Sequence, residues 1–293
     1  MQDKKLILVT GGAGFIGSHL CERLSKDGHQ VISLDNYFTG SRENHVPGVD
    51  YREGHTKDIE KHIPETPDLI YHLGEYSRVT IAIEEPSVVW DLNILGTLGV
   101  LEFCRKKKSK LVYAGSSTKF ADTRADGISG RDLSPYTWAK ATNTEVVKNY
   151  GAWYGILYAI VYFYNVYGPR ELSGKYGTVV EIFRQSFLKG EPLKVNSPGT
   201  QTRTYTHVDD TIDALLLVGE KGEGDEYGIA SSDTYSTKEV AELFGGEITM
   251  MPARTTSRPS TPTDTVKTEA LGWGPKRTLK AYIEEFKAQN PRS

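Results

Sequence analysis

The sequence predicts an α/β fold in which a doubly wound parallel sheet is followed by a smaller C-terminal lobe. Strand-like apolar runs alternate with helical patterns through the first 165 residues. The runs are almost continuously apolar, which is typical of parallel strands covered by helices on both faces. After Gly168 and Pro169 the chain is richer in Gly, Pro, Ser and Thr, and its apolar segments are shorter. This change indicates a second structural unit.

The period of the apolar residues places the individual elements. Strands are predicted at residues 6–10, 30–34, 69–73, 111–114 and 156–164, and a helix is predicted at 16–27. We assign residues 1–168 to the first domain, to which a helical segment at 206–222 returns. Residues 169–205 and 223–293 then form the smaller lobe.

Composition excludes several classes of protein. The 293-residue chain carries a formal net charge of −3, whereas a nucleic-acid-binding domain presents a strongly basic face. Its two cysteines, Cys21 and Cys104, lie in amphipathic helical patterns and are expected to be buried apolar residues without a disulfide or a metal. The chain shows no apolar run of about 18 residues and enters a strand near its start, so we expect a cytoplasmic protein without a membrane segment.

A glycine motif joins the first predicted strand to the first predicted helix. Gly12, Gly14 and Gly17 satisfy the pattern GxGxxG. The first glycine permits a tight turn, the second lets a pyrophosphate approach the backbone, and the third allows close packing of helix on strand. The helix then presents N–H groups and the positive end of its dipole. The motif predicts a dinucleotide-binding, Rossmann-type domain.

Asp35 ends the second predicted strand, 18 residues after Gly17. A carboxylate at this distance accepts hydrogen bonds from the adenosine ribose. The next residue is Asn36, and no arginine follows nearby to bind a 2′-phosphate. The sequence therefore favours NAD over NADP.

Tyr136 and Lys140 lie four residues apart in the segment Ser-Pro-Tyr-Thr-Trp-Ala-Lys. On a helix this spacing puts both side chains on one face. A tyrosine free in water has a pKa near 10 and is a poor base at neutral pH. A fixed cation beside it favours the phenolate. Together with the glycine motif, the pair predicts a nicotinamide site with its own proton-transfer group.

With these motifs the chain resembles the extended short-chain dehydrogenase/reductases, in their nucleotide-sugar epimerase/dehydratase branch. The resemblance covers nearly the whole chain and includes Asn165-Val166-Tyr167-Gly168-Pro169-Arg170 on the substrate side. Further matching segments are residues 10–17, 35–40, 71–74, 93–97, 116–118, 203–210 and 271–275.

The resemblance implies a role for each matching residue. Thr118 would hydrogen-bond the 4-oxygen of the sugar, Tyr136 would take its proton, and Lys140 would also hold the nicotinamide ribose. Arg203 would bind the diphosphate of the substrate. The implied NAD-binding residues are Gly11, Gly14, Phe15, Ile16, Gly17, Asp35, Asn36, Gly40, Asp58, Leu73, Gly74, Asn93, Ser116, Tyr136, Lys140 and Phe163. The implied substrate-binding residues are Glu75, Ser77, Thr118, Asn165, Arg203, Arg254 and Thr261.

The residues after Thr118 bear on the reaction. Dehydratases of this branch continue with Asp-Glu, and a decarboxylase carries Glu at position 120, whereas Lys119 and Phe120 stand here. We therefore expect a 4-epimerase that passes through a transient 4-keto sugar, of the kind used in polysaccharide biosynthesis. A 4,6-dehydratase or 4-ketoreductase with different acid and base groups is the alternative. A non-catalytic NAD-binding protein is a third possibility.

The chain departs from the family pattern at several positions. Glu75 replaces a small residue, so its carboxylate is expected near the nicotinamide or the sugar unless it is solvated or caps a helix. His55 stands where an adenine-contacting Asp is usual, and Asp58 is expected to substitute for it. Thr261 falls at a position that gates the sugar pocket, where a small residue leaves room for an N-acetyl group.

The resemblance also implies partners. The substrate would be a UDP-linked hexose or N-acetylhexosamine, and no nucleic acid or membrane is expected to bind. Relatives often form homodimers through the two helices that flank the catalytic tyrosine. Tyr150, Trp153 and Tyr154 could supply the apolar surface of such a homodimer.

Overall fold

The computed structural model describes residues 4–120, 129–253 and 263–291. The strands are β1 (Leu6–Thr10), β2 (Gln30–Asp35), β3 (Val49–Glu53), β4 (Leu69–His72), β5 (Lys110–Ala114), β6 (Tyr158–Phe163), β7 (Val166–Tyr167), β8 (Leu193–Asn196), β9 (Thr202–Thr204), β10 (Thr206–His207), β11 (Gly224–Ile229), β12 (Thr234–Ser236) and β13 (Ile248–Met251). The helices are α1 (Phe15–Lys26), α2 (Ile59–His62), α3 (Pro86–Val89), α4 (Gly96–Lys107), α5 (Pro135–Tyr154), α6 (Val179–Lys189), α7 (Val208–Lys221), α8 (Thr237–Phe244), α9 (Val266–Glu269) and α10 (Leu279–Gln289).

Seven parallel strands form the central sheet, in the order β11-β6-β5-β4-β1-β2-β3. The predicted fold class is therefore confirmed, and the predicted strands end within two residues of the observed ones. The sequence analysis did not predict β3. Its burial is only partial, so it lacks the continuous apolar run that marks the inner strands.

Each face of the sheet is covered by helices because alternate residues of a strand point to opposite faces. In β1, Val9 joins the core that contains Leu20 of α1 and Leu215 of α7. Its neighbour Leu8 joins the opposite core, which contains Leu101 of α4. Both faces are thus buried, as the nearly continuous apolar strands predicted.

A separate aromatic core supports the smaller lobe. It combines Phe183 and Phe187 of α6, Phe244 of α8 and Phe286 of α10. The parallel pair β8 and β13 and the antiparallel pair β9 and β12 complete this region.

The C-terminal part of the chain differs from the predicted division. Strand β11 was placed in the smaller lobe but pairs with β6 at the edge of the central sheet. Helix α9 packs on β11, and Trp273 lies in the same core as Val9. The sequence of β11, Gly-Asp-Glu-Tyr-Gly-Ile, is too polar to indicate a strand of the main sheet.

One helical stretch, Pro86–Lys107, satisfies the length and hydropathy of a membrane span among the described residues. It comprises α3, a π-helical segment at Trp90–Leu95, and α4. Half of its most apolar 18-residue part is buried inside the fold, where Val100 and Leu101 pack against the sheet. Core helices of globular domains share these properties.

Helix α7 approaches the sheet closely at Gly219. A Cβ atom at this position would lie 1.9 Å from the hydroxyl oxygen of Tyr71, whose hydroxyl donates to the Leu215 carbonyl. Only the absence of a side chain permits this contact between helix and strand.

We predict that Gly219→Ala lowers the free energy of unfolding by about 1–3 kcal/mol, because overpacking at Tyr71 outweighs the gain of about 1 kcal/mol in helix propensity. Urea denaturation measures the change. The neighbouring exposed substitution Glu220→Ala should alter stability by less than about 0.5 kcal/mol. A Gly219→Ala protein as stable as the wild type would contradict the packing.

His72 ties the carboxyl ends of two strands to α4. One ring nitrogen contacts the Thr10 hydroxyl at 2.7 Å, and the other contacts the Thr97 hydroxyl at 3.1 Å. The ring is fully buried, and this burial lowers its pKa to about 4. The ring is therefore neutral in the folded protein at pH 7.

The free energy of unfolding should consequently decrease as the pH is lowered from 6.5 toward 4. The folded pKa lies below the unfolded value near 6.5, so the contribution of His72 is complete above pH 6.5 and is lost as the pH falls toward 4. The loss amounts to at most about 3 kcal/mol. Unfolding of the wild type and of His72→Gln, measured between these pH values, isolates this contribution. Parallel pH dependences of the two proteins would contradict it.

Candidate functional site

A cavity of about 590 Å³ lies where the strands of the central sheet end. Gly11 follows β1, Asp35 ends β2, Gly74 follows β4, Ser116 follows β5 and Phe163 ends β6, and all five line the cavity. Parallel strands bring these chain segments to one edge of the sheet, where ligands of this architecture bind.

The glycine loop forms one wall. Gly11 has φ of 73°, which favours glycine, and its N–H donates to the Leu34 carbonyl at 2.9 Å. A Cβ atom on Gly17 would lie 2.1 Å from the Gly11 carbonyl oxygen, so α1 packs directly on the loop. No side chain caps α1 at its N-cap residue Gly14. The first N–H groups of this helix are therefore placed to receive a pyrophosphate.

Asp35 is held in position by the same region. Its carboxylate accepts hydrogen bonds from the Ala13 N–H at 3.0 Å and from the Tyr37 N–H at 2.8 Å. A Cβ atom on Gly40 would lie 2.8 Å from Asp35 Oδ1, so that loop also requires a glycine. Burial raises the pKa of the Asp35 carboxyl. The glycine cradle and this carboxylate fit the pyrophosphate and the ribose of NAD.

The hydroxyl groups after β5 differ from the prediction. The Tyr136 hydroxyl donates to Ser116 Oγ at 3.3 Å, and Ser116 Oγ lies 2.8 Å from Thr118 Oγ1. Thr118 is only 1% exposed and lies behind Ser116, outside the cavity lining. The hydroxyl that contacts Tyr136 therefore belongs to Ser116. The run of three hydroxyl residues, 116–118, left this choice open in the sequence.

Helix α5 places Tyr136 and Lys140 on the cavity wall, as their spacing predicted. Ser134 caps this helix through its hydroxyl, and Pro135 occupies the first helical position. Both functional side chains are buried, with Tyr136 8% and Lys140 5% exposed.

Glu75 is neither solvated nor a helix cap. Its carboxylate forms an ion pair with the Lys140 ammonium, and the side chains are only 2% and 6% exposed. Its other oxygen accepts hydrogen bonds from Thr97 and Asn143, each at 3.0 Å, and from the Tyr113 hydroxyl at 3.3 Å. Burial, followed by the charge of Glu75, raises the pKa of Tyr113 well above its ordinary value.

Two predicted cofactor residues do not line the cavity. Asp58 forms an ion pair with Lys61 at 2.7 Å. Asn93 is fully buried, accepts a hydrogen bond from the Tyr76 N–H at 2.7 Å, and donates to the Tyr76 carbonyl at 3.1 Å. It thus fixes the loop after β4.

The remaining predicted residues lie on the cavity wall or outside the described part of the chain. On the substrate side, Asn165 donates to the Thr204 carbonyl at 2.8 Å, and Arg203 donates to the Thr202 carbonyl at 2.8 Å. Arg254 and Thr261 lie outside the described residues. The predicted residues that line the cavity are Gly11, Gly14, Phe15, Ile16, Gly17, Asp35, Asn36, Gly40, Leu73, Gly74, Glu75, Ser77, Ser116, Tyr136, Lys140, Phe163, Asn165 and Arg203.

The sequence analysis missed two charged residues of the cavity, Arg78 and Glu171. Arg78 Nε donates to the Tyr176 carbonyl at 2.6 Å, and burial lowers the pKa of its guanidinium. Burial raises the pKa of Glu171 to about 8, although the Thr178 hydroxyl donates to one of its oxygens. The position of Glu171 directly after the Asn165–Arg170 motif was the available signal.

Comparison with known proteins agrees with this geometry. The family model described as the NAD dependent epimerase/dehydratase family matches residues 7–230. A putative UDP-glucose 4-epimerase of Methanocaldococcus jannaschii is 32% identical, with 95% of this chain and 96% of that protein covered. A UDP-N-acetyl-alpha-D-glucosaminuronate decarboxylase of Bacillus cytotoxicus is 31% identical, with 82% and 79% covered.

Among solved structures, the UDP-glucose 4-epimerase of Thermus thermophilus in complex with NAD superposes with a TM-score of 0.86. It is 29% identical, and the match covers 96% of this chain and 99% of that chain. Since the family model spans most of the sequence and the glycine cradle fits NAD, the chain belongs to the NAD-dependent epimerase/dehydratase family.

Proposed function

We propose that this chain is an NAD-dependent nucleotide-sugar 4-epimerase. The observation that carries this proposal is the convergence of Tyr136, Ser116 and Lys140 beside the glycine cradle. The two residues after Thr118 are Lys119 and Phe120, and neither carries a carboxyl group. Elimination of water requires an acid and a base beside the sugar, and these positions provide no carboxyl group for it.

The proposed reaction uses the side chains in sequence. Tyr136 removes the proton of the sugar 4-hydroxyl, and Ser116 orients the 4-oxygen through its own hydroxyl. NAD held by the glycine cradle and by Asp35 would supply reversible hydride transfer at C4 on either face of the sugar. Tyr136 then returns the proton, so that the complete cycle is redox-neutral. Lys140 holds the nicotinamide ribose and favours the phenolate form of Tyr136.

The proposed substrates are UDP-hexoses or UDP-N-acetylhexosamines. Both curated relatives carry the names of enzymes that act on UDP-sugars. On this chain a planar guanidinium at Arg203 suits paired phosphate oxygens, and Asn165 would add a hydrogen bond to the nucleotide. Arg254 is proposed as a second diphosphate ligand and Thr261 as the small residue that admits an N-acetyl group.

A 4,6-dehydratase or 4-ketoreductase is the second candidate, and one observation favours a dehydratase. The Glu171 carboxyl lines the cavity, and with its pKa raised to about 8 by burial it is mostly protonated at neutral pH. A neutral carboxylic acid could protonate a leaving hydroxyl group. The relationship to a decarboxylase makes a uronic acid substrate a third outcome to be tested.

Product analysis distinguishes these reactions. We expect the NAD-loaded protein to convert UDP-glucose or UDP-N-acetylglucosamine to the 4-epimer without a change in mass. Dehydration would remove one water, and decarboxylation of UDP-glucuronic acid would remove carbon dioxide. Mass spectrometry and sugar chromatography of the products give the answer, and turnover of none of these sugars would refute the proposal.

Tyr136→Phe should reduce the rate of this conversion by about 10²–10⁴-fold, because it removes the proton-transfer group. The matched control is Tyr154→Phe at the exposed end of the same helix, which should leave the rate unchanged. Equal rates for wild type and Tyr136→Phe would exclude Tyr136 from catalysis.

We also propose that the protein is a cytoplasmic homodimer. An apolar groove beside the start of α5 contains Trp90, Leu95 and Trp138, which are 38%, 50% and 40% exposed. Further along α5, Trp153 and Tyr154 are also exposed. Exposed apolar surface of this kind marks protein interfaces.

Leu95→Glu should therefore convert the dimer to a monomer, because it places a charge on this apolar face. Light scattering after size-exclusion chromatography measures the mass. Val266→Glu, at a 73% exposed position on α9, is the control and should remain dimeric. A monomeric wild-type protein would contradict the proposed assembly.

A further inference from the structure

We propose that Glu75 is the counter-ion of Lys140 and a positioning residue for proton transfer by Tyr136. Glu75 fixes the ammonium in place and offsets its charge, so that Tyr136 ionises at a higher pH than it would beside an unpaired lysine. The role of Glu75 in catalysis rests on the proposed function. The ionisation itself can be measured without any substrate.

The ammonium group of Lys140 donates hydrogen bonds to two groups of the protein. Lys140 Nζ donates to Glu75 and, at 2.6 Å, to the Ala114 carbonyl. An ammonium has three N–H donors, so two are occupied and one remains for the cavity. The Nζ atom also lies 5.0 Å from the centre of the Tyr113 ring. Its position is therefore set from β5 and from the loop after β4, and not by α5 alone.

The carboxylate of Glu75 is surrounded by hydrogen-bond donors. Thr97, Asn143 and Tyr113 all donate hydrogen bonds to the Glu75 oxygen that does not face Lys140. These donors come from α4, α5 and β5, so three elements support one carboxylate. Accepting several hydrogen bonds favours the ionised form of a carboxyl group over the protonated form. The site is therefore built for an anion paired with the Lys140 cation.

Several titratable groups around Tyr136 carry no charge at pH 7. His72 on β4 is neutral at pH 7 because burial lowers its pKa to about 4. Tyr113 on β5 is neutral because burial raises its pKa. Glu171, in the loop after β7, is mostly protonated because burial raises its pKa to about 8.

Among the side chains that the structure describes, the charges that remain near Tyr136 at pH 7 are those of Lys140, Glu75 and Arg78. The guanidinium of Arg78, on the loop after β4, interacts electrostatically with Tyr136. The Glu75 anion cancels much of the Lys140 field at the phenol because the two charges are adjacent and poorly screened in this buried site. Removing the charge of Glu75 while keeping its shape should therefore expose Tyr136 to an uncompensated cation.

Glu75→Gln is the test, since glutamine preserves the size of the side chain and can still accept hydrogen bonds. Ultraviolet absorbance of tyrosinate is titrated on the NAD-loaded protein, and the same titration of the Tyr136→Phe counterpart is subtracted to isolate Tyr136. We expect the midpoint to move down by about one pH unit in Glu75→Gln. The matched control is Glu84→Gln, which removes the same charge at an exposed position and should not move the midpoint.

A midpoint that stays within about 0.2 pH units of the wild type, or an equal shift in Glu84→Gln, would overturn the inference. The spectral result is independent of turnover. A shift without epimerase activity would retain the role of Glu75 and refute the proposed function. Epimerase activity without a shift would do the reverse.

A second measurement applies even if Glu75→Gln folds poorly. In Lys140→Met the buried carboxylate has no cation and binds a proton more readily than in the unfolded chain. Urea unfolding should therefore show a larger loss of stability for Lys140→Met at pH 8 than at pH 5. Adding Glu75→Gln to this variant should remove that pH dependence. The inference fails if Lys140→Met follows the pH dependence of the wild type.

Discussion

All seven strands of the central sheet run in the same direction, and this constraint brings the functional groups together. The glycine loop, Asp35, Ser116 and Phe163 come from positions far apart in the chain, yet each lies at the carboxyl end of a strand. Parallel pairing therefore creates the cavity, and the packing of α1 on the glycine loop gives it an N–H-rich wall. Helix α5 then needs only to pass this edge for Tyr136 and Lys140 to reach it.

Within this cavity, the buried ion pair of Glu75 and Lys140 is the feature that is energetically hardest to accommodate. Two charges removed from water incur a desolvation penalty that only close pairing and further hydrogen bonds can offset. Thr97, Asn143 and Tyr113 provide those hydrogen bonds to Glu75. Because these residues belong to separate elements, the ion pair is coupled to the packing of α4, α5 and β5 around one point.

The positions of the carboxyl groups also separate the candidate reactions. Glu75 is paired with Lys140, and Lys119 and Phe120 stand at the two positions after Thr118, where dehydratases carry Asp-Glu. Glu171 lines the cavity from the loop after β7, and burial raises the pKa of its carboxyl to about 8. Oxidation and reduction at C4 require none of these carboxyls as an acid, whereas elimination requires one, and Glu171 is the candidate among the described residues. The family includes both kinds of enzyme, and this placement of carboxyl groups supports the proposal of a 4-epimerase.

The sequence by itself determined the parallel α/β fold, the glycine cradle, Asp35 and the pair Tyr136 and Lys140. These features follow from the period of apolar residues or from fixed spacings along the chain, of which the longest is the 18 residues from Gly17 to Asp35. Tertiary structure alone decided that β11 joins the main sheet, that Ser116 and not Thr118 contacts Tyr136, and that Glu75 binds Lys140. Those outcomes depend on contacts between residues far apart in the chain, in one case 65 positions, and no local pattern encodes such distances.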